Sequence, residues 1–288
     1  MGLPRWDGSR RDHVLDSDAR VILLVQARTA SVHAAALSCE ESAMPMNLES
    51  LIDLVGLGAH RDFVLGLARP TVELVPVDDV DRRVGTRLGG APDVPAGFPW
   101  PRTAEGVYRF VAQIRLEDLS PDPTREGLPE RGLLSFFYAA DYDAWWRDAD
   151  FVRVFWFRDA DGLVRADPPT FVAFPFCLRS RLVPGQDVPP WPRTATARAA
   201  WPLDASLEDA WWDLRRRLHP SGRYLFGFPL NRSLAYDPTP GPGWRSLLTL
   251  DSSEALKWSW RDDAWLVTFI ESERLRAHDF SAIRADAG

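Results

Sequence analysis

The sequence predicts an α+β protein dominated by β-strands, with mainly antiparallel sheets in a roll-like arrangement. Runs rich in β-branched and aromatic residues recur along the chain, separated by glycine, proline and aspartate turns. Apart from a short helix near the end of the chain, helical periodicity is limited to a hairpin of helices over residues 47–67 and to one helix over 206–218. We expect that second helix to lie between two β-rich halves.

Residues 85–101 form the stretch around which the chain is organised, because glycines and prolines are too frequent there for a helix or a central strand. Gly89 and Gly90 indicate a backbone turn, or a place where another surface comes close. The prolines that follow predict stiff extended segments. We therefore expect a rigid loop.

The strand predicted after this loop, over residues 108–116, carries one amide, Gln113, among apolar neighbours. A buried amide without partners costs roughly 1–3 kcal/mol. We therefore predict that Gln113 binds backbone groups of the Gly89–Gly90 loop.

The remaining elements follow from local patterns. Asn47 is a predicted helix cap, Pro70 starts an edge or half-buried strand, and Ser206 caps the second helix. Residues 184–192 indicate a stiff connector at the boundary between halves. The other expected strands cover 133–138, 151–157, 171–178, 246–250 and 265–270, and a short helix covers 273–278.

The chain of 288 residues is 45% apolar, which is ample for a buried core. A net charge of −7 argues against binding nucleic acid or an anionic membrane, since both require a basic face. Two distant cysteines indicate neither a disulfide framework nor a zinc site. We expect a cytoplasmic protein.

The domain prediction separates residues 1–43, a poorly ordered leader, from a single domain over residues 44–288. Either the leader is a genuine extension, or translation begins at Met44 or Met46. The halves of the domain cover about 70–180 and 200–284. They share a pattern, Gly90-x-Pro92 and Gly227-x-Pro229, each followed by two strands. Two related β subdomains or convergence of common turn residues would each explain it.

We find no catalytic signature. His60, His219 and His278 lie on predicted helices or helix ends without a nucleophile nearby in sequence, and the spacings of metal and phosphate motifs are missing. Residues 141–150 carry four aspartates, but the EF-hand spacing fails there. We expect no cofactor and no metal.

The chain resembles the YwqG-like family, a bacterial family of unassigned function. The resemblance is carried by Arg87-Leu-Gly-Gly-x-Pro92, Trp100-Pro101, Val111-Ala-Gln113-Ile and Gly132-Leu-Leu-Ser-Phe-Phe137, and by Gly227-Phe-Pro229, Leu248-x-Leu250-Asp251 and Trp260-x-Asp262 in the second half. The chain departs from the family at Ser233 and Thr249, where glutamine is usual. The resemblance implies no reaction, and weakly suggests a toxin-neutralising or accessory role.

Three functions are compatible with these patterns. A non-catalytic protein that binds a protein partner is the leading hypothesis. A binder of carbohydrate or of a small polar metabolite, using tryptophans such as Trp100, Trp145 and Trp146, is the alternative, and an enzyme of unrecognised type is the least favoured. The candidate binding residues are Arg87, Gly89, Gly90, Trp100, Gln113, Asp251 and Asp262, with Arg87 pairing Asp251 or Asp262 if the set is structural.

Overall fold

The structure, a computed structural model, describes residues 47–287 except for 78–83, 104–105, 122–124, 126, 141–146, 170–173, 193–194, 231–233, 235 and 262. The leader, residues 1–43, and the candidate start sites Met44 and Met46 lie outside the described residues. The described helices are α1 (Leu48–Leu54), α2 (Arg61–Leu67), α3 (Ala195–Ala199), α4 (Glu208–Leu218) and α5 (Ser272–Arg276). The described strands are β1 (Arg69–Pro76), β2 (Arg87–Gly90), β3 (Asp93–Val94), β4 (Tyr108–Arg115), β5 (Leu133–Ala139), β6 (Val152–Phe157), β7 (Val164–Arg165), β8 (Phe174–Asp187), β9 (Arg223–Phe226), β10 (Trp244–Asp251), β11 (Trp265–Glu271) and β12 (Arg284–Ala287).

Within the described ranges, ten strands form one sheet in the order β12-β11-β10-β9-β1-β8-β2-β4-β5-β6, and all neighbours are antiparallel. The short strands β3 and β7 pair with each other. Phe136 on β5 and Leu248 on β10 line the same small apolar space, and the ring of Tyr138 lies 5.2 Å from that of Trp260. The two flanks of the sheet therefore share a core. The β-dominated, mainly antiparallel prediction is confirmed.

The sheet consists of two similar halves, each made of a four-stranded meander beside one of the two central strands, β1 and β8. The meander β9-β10-β11-β12 lies beside β1, and the meander β2-β4-β5-β6 lies beside β8. In each meander the second strand carries a register shift against the third. The shift falls between Phe110 and Ala112 in β4, and between Ser246 and Leu248 in β10.

Two successive residues with positive φ lie at the end of the first strand of each meander. Gly89 and Gly90 have φ values of 66° and 71°, and Phe226 and Gly227 have φ values of 65° and 66°. A proline follows two residues after each pair. The positive φ expected at Gly89 and Gly90 is confirmed, and the same feature recurs in the second half. The prediction that residues 85–101 contain no central strand is wrong, because Arg87–Gly90 form β2, which pairs with β8 on one side and with β4 on the other. Glycine is accommodated there because β2 is short and its register against β8 shifts between Gly89 and Gly90.

Two further predictions about the centre of the sheet are wrong. β1, expected as an edge or half-buried strand, is a central strand between β8 and β9, and residues 71–74 are all buried. Pro70 is tolerated because it lies outside the residues that pair with β9, Thr71 to Glu73. Residues 184–187, expected in a connector, extend β8, which is 14 residues long and pairs with β1 as far as Asp187. Proline is tolerated at position 184 although β8 is central.

The helices α1, α2 and α4 pack around their own apolar cluster. Rings of Trp191, Trp201 and Trp211 lie 5.1–6.1 Å apart within it. The predicted helical hairpin and the helix between the halves are confirmed, but Ser206 is not the cap. Asp204 caps a 3₁₀ turn by accepting from the Ser206 amide, and α4 begins after that turn. No described helix is both long and apolar enough to cross a bilayer.

Candidate functional site

Gln113 fastens the start of the glycine loop to β4. Its side chain is completely buried. Its Oε1 accepts from the Asp93 amide at 2.9 Å and from Arg87 Nη2 at 3.0 Å. Its Nε2 donates to the Gly85 carbonyl at 2.8 Å and to Asp93 Oδ2 at 2.9 Å. The predicted anchoring is confirmed, although the bonds reach residues on either side of Gly89 and Gly90 and not the glycines themselves.

Arg87 is a buried cation whose carboxylate partner is Asp93. Its Nη2 lies 2.8 Å from Asp93 Oδ2 and donates to the Ala91 carbonyl at 2.6 Å. Arg165 binds the other oxygen of Asp93 at 2.7 Å. Burial lowers the pKa of Arg87 to about 10, against the opposing effect of Asp93. The predicted pairing of Arg87 with Asp251 is wrong, because Asp93 lies six residues away on the same loop.

Gly89 and Gly90 lie where β8 comes close to the loop. A Cβ atom on Gly89 would lie 2.5 Å from the Phe176 carbonyl oxygen. A Cβ atom on Gly90 would lie 2.9 Å from the Cys177 Cβ. Both conditions that favour glycine, a positive φ and a close approach, therefore hold at these positions.

The other candidates belong to different surroundings. Trp100 is half-buried, its indole donates to the Tyr108 carbonyl at 2.7 Å, and its ring meets the edge of Phe137. Asp251 binds Arg223 through both carboxylate oxygens, at 2.7 and 3.3 Å. The structure therefore brings together Arg87, Gly89, Gly90 and Gln113, and gives Trp100 and Asp251 other partners. Asp262, Trp145 and Trp146 lie outside the described residues.

A cavity of about 410 Å³ lies beside the anchored loop. Its wall includes Gly85, whose carbonyl is bound by Gln113, and Thr86, whose hydroxyl accepts from the Arg115 amide at 3.0 Å. The Thr86 carbonyl accepts from the Ser180 amide of β8 at 3.1 Å. Among the described residues, its polar lining comprises Thr86, Asp118, Arg179, Ser180, Arg181 and the backbone of Gly85.

Ser180 is a lining residue of this cavity, but it is only 7% exposed. Its Oγ is shielded from open space and has no hydrogen-bond partner among the described residues, although buried hydroxyls are ordinarily paired. Sequence reasoning missed Ser180 because an isolated serine in a strand carries no signal of its own.

A second buried polar cluster, also missed from the sequence, surrounds His219 at the end of α4. His219 Nδ1 lies 2.5 Å from Glu73 Oε1, and its Nε2 lies 3.0 Å from Asp187 Oδ1 as an ion pair without hydrogen-bond alignment. Arg215 binds both oxygens of Asp187, at 3.3 and 3.2 Å. The imidazole stacks on Tyr224 with 3.8 Å between ring centroids.

The electrostatics of this cluster favour a protonated His219. Burial alone would lower its pKa, but Asp187 and Glu73 raise the pKa of His219 to about 9. Burial would likewise raise the pKa of Asp187, but Arg215 and His219 hold it well below its ordinary value. Burial raises the pKa of Glu73, and the hydrogen bond with His219 opposes that rise. A protonated imidazole held between carboxylates is a structural ion pair and not a ready general base.

The described residues offer no cluster of three or more histidine, cysteine or acidic side chains arranged to hold a metal ion. Fold and site together define an antiparallel β-sheet protein with a polar cavity beside the loop that Gln113 anchors. Residues 86–287, most of the chain, match the sequence model of the family described as Domain of unknown function (DUF1963). The chain belongs to that family. No curated protein matches the chain.

Proposed function

We propose that this chain is a non-catalytic binding protein that holds a small polar ligand in the cavity beside residues 85–86. The observation that carries the proposal is the cavity of about 410 Å³ itself, a volume typical of small-molecule sites. Two of its lining residues, Gly85 and Thr86, are held by hydrogen bonds from Gln113 and Arg115, which favours a preorganised wall. Preorganisation lowers the entropic cost of binding.

The side chains around the cavity support binding more than catalysis. Thr86 and Ser180 are among its lining residues, but no histidine is among its described lining residues. Thr86 is occupied by the Arg115 amide. His219, the buried imidazole with a raised pKa, faces Glu73 and Asp187. A nucleophile paired with a base, which covalent catalysis requires, is not assembled from these residues.

A protein partner, with a toxin-neutralising or accessory role, is the second candidate. The large apolar side chains that favour it are Leu54, Val164 and Tyr236, which are 56%, 49% and 41% exposed. They lie on three separate elements, and for that reason we rank a protein partner below a small ligand. A cytoplasmic location is part of both proposals.

We also infer that the chain is a YwqG-like protein. We infer further that its sheet is roll-like and consists of two related subdomains. The mirrored strand order, the matching register shifts and the matching pairs of positive φ support the duplication. Common turn chemistry explains the turns, but it does not explain register shifts at the same place in both meanders.

A thermal-shift screen tests the proposed function. Small carboxylates, phosphates, polyols and sugars are added to the full chain and to the variant Arg181→Trp, which places a bulky ring at an exposed lining residue of the cavity. We expect at least one class to raise the melting temperature of the wild type and not that of the variant, because a ligand that binds only the folded state stabilises it. A screen in which no class separates the two proteins would contradict the proposal.

A further inference from the structure

The buried cluster around His219 connects the end of α4 with three strands at the centre of the sheet. Glu73 comes from β1, Asp187 from the end of β8, and Tyr224 from β9. These three side chains and that of His219 all belong to residues that are at most 5% exposed. Charged groups therefore hold α4 to the sheet at this point.

The turn after β9, residues 226–229, is bound to the same cluster. The Phe228 amide donates to Asp187 Oδ2 at 2.8 Å. The Phe228 carbonyl accepts from the Tyr224 hydroxyl at 3.0 Å and from Arg215 Nη2 at 3.5 Å. Both backbone groups of Phe228 thus depend on the cluster for their hydrogen bonds.

With both carboxylates ionised, the cluster is neutral only while His219 carries a proton. Glu73 and Asp187 lie 2.5 and 3.0 Å from the two nitrogens of the imidazole. Arg215 supplies one positive charge through its contacts with Asp187 at 3.3 and 3.2 Å, and the imidazolium supplies the other. Loss of the proton leaves one negative charge uncompensated in a buried place, which is strongly unfavourable.

The other titratable and charged groups described on these elements do not replace that charge. Tyr224 stacks on the imidazole, and burial raises the pKa of its phenol, so the phenol stays neutral. The remaining cations nearby have other partners: Arg69 lies over the Phe228 ring, Arg223 pairs with Asp251, and Arg216 and Arg217 pair with Asp213.

We propose that His219 is a proton-dependent latch, in which loss of the imidazole proton lets the end of α4 and the turn at 226–229 open together as one local unit. Opening admits water to Glu73 and Asp187, which relieves the cost of the unbalanced charge. The backbone pairing of β1 with β8 does not use these side chains and remains. The inference is independent of the proposed function, because none of these residues is among the described lining of the cavity.

The direction of the effect follows from the charges around the imidazole. Burial alone would lower the pKa of His219, but Asp187 and Glu73 raise it from 6.5 to about 9. The closed form is therefore fully favoured below pH 6.5, and that advantage is lost as the pH rises through about 9. Between pH 6.5 and about pH 9.5, the equilibrium constant for opening is expected to rise about a hundredfold.

Hydrogen exchange of the full chain at pH 6.5 and at about pH 9.5 tests the inference, with each rate corrected for the chemical exchange rate at that pH. We expect exchange in peptides covering 212–221 and 226–230 to rise about a hundredfold. At the higher pH these peptides should exchange at least about tenfold faster than 133–138 in β5, and low urea should not change their rates, because local opening exposes little surface.

The variant His219→Gln, which has no proton to lose, is expected to show no such rise, whereas the control His278→Gln, at an exposed histidine, behaves as the wild type. Peptides 212–221 and 226–230 that exchange no faster than 133–138 at the higher pH would overturn the inference, because opening would then be global. A rise that persists in His219→Gln would also overturn it. NMR titration of the wild type gives a test that does not depend on the variant folding, and a His219 pKa at or below 6.5 would contradict the latch.

Discussion

Replacing Gln113 with methionine removes four hydrogen bonds and keeps a side chain of similar length. The Asp93 amide and the Gly85 carbonyl then lose their hydrogen bonds to this side chain, which is fully buried. At roughly 1–3 kcal/mol for each unsatisfied group, we expect the free energy of unfolding to fall by about 4 kcal/mol. For a domain of this size, that predicts a melting temperature lower by about 10 °C.

Urea unfolding of Gln113→Met and of a matched control, Gln186→Ala, measures this effect. Gln186 is an exposed glutamine on the central strand β8, so its replacement is expected to change stability by less than about 0.5 kcal/mol. A Gln113→Met protein within about 1 kcal/mol of the wild type would refute the reasoning, because the buried network would then contribute no more than an exposed amide.

Three further predictions concern the glycine loop and the second cluster. Gly89→Ala is expected to destabilise the fold by about 3 kcal/mol or more, because the added Cβ would collide with the Phe176 carbonyl. The control Gly97→Ala has a positive φ but no atom within 4 Å of the added Cβ, and we expect it to cost about 1 kcal/mol. Equal losses in urea unfolding would show that the contact with Phe176 contributes nothing. The pKa of His219 is raised from 6.5 to about 9, so its contribution of up to about 3 kcal/mol is fully present below pH 6.5 and is lost as the pH rises to about 9. In His219→Gln, the melting temperature is expected to depend less on pH over that range. An unchanged dependence on pH would contradict the raised pKa of His219. Asp187→Asn leaves the buried charge of Arg215 uncompensated, for an expected loss of about 3–5 kcal/mol, and a near-neutral result in calorimetry would argue against that ion pair.

The anchored loop could be predicted from the sequence because its signals are local. Gly89 and Gly90 demand a positive φ or a close approach, and both hold. Gln113 is a polar residue in an apolar strand, and a buried amide must find partners. The sequence could not supply the partner of Arg87, because Asp93, Asp251 and several other carboxylates were equally available to it.

The second cluster could not be predicted because its members are distant in the chain. Glu73, Asp187 and His219 come from β1, β8 and the end of α4, and they meet only once β1 and β8 pair at the centre of the sheet. Local patterns also favoured an edge position for β1, because Pro70 lacks an amide hydrogen. Tertiary pairing overrode that preference, and the cavity beside Ser180 depends on the same pairing.

Hydrogen exchange with mass spectrometry tests most directly the claim that the Gln113-anchored loop forms the wall of a binding cavity. It is measured with and without the compound that raises the melting temperature most in the thermal-shift screen. We predict that this compound slows exchange in peptides covering residues 84–88 and 178–182, and that Gln113→Met speeds exchange at 84–88 in its absence. Slowing confined to other parts of the chain, or equal exchange at 84–88 in the wild type and in Gln113→Met, would contradict the account.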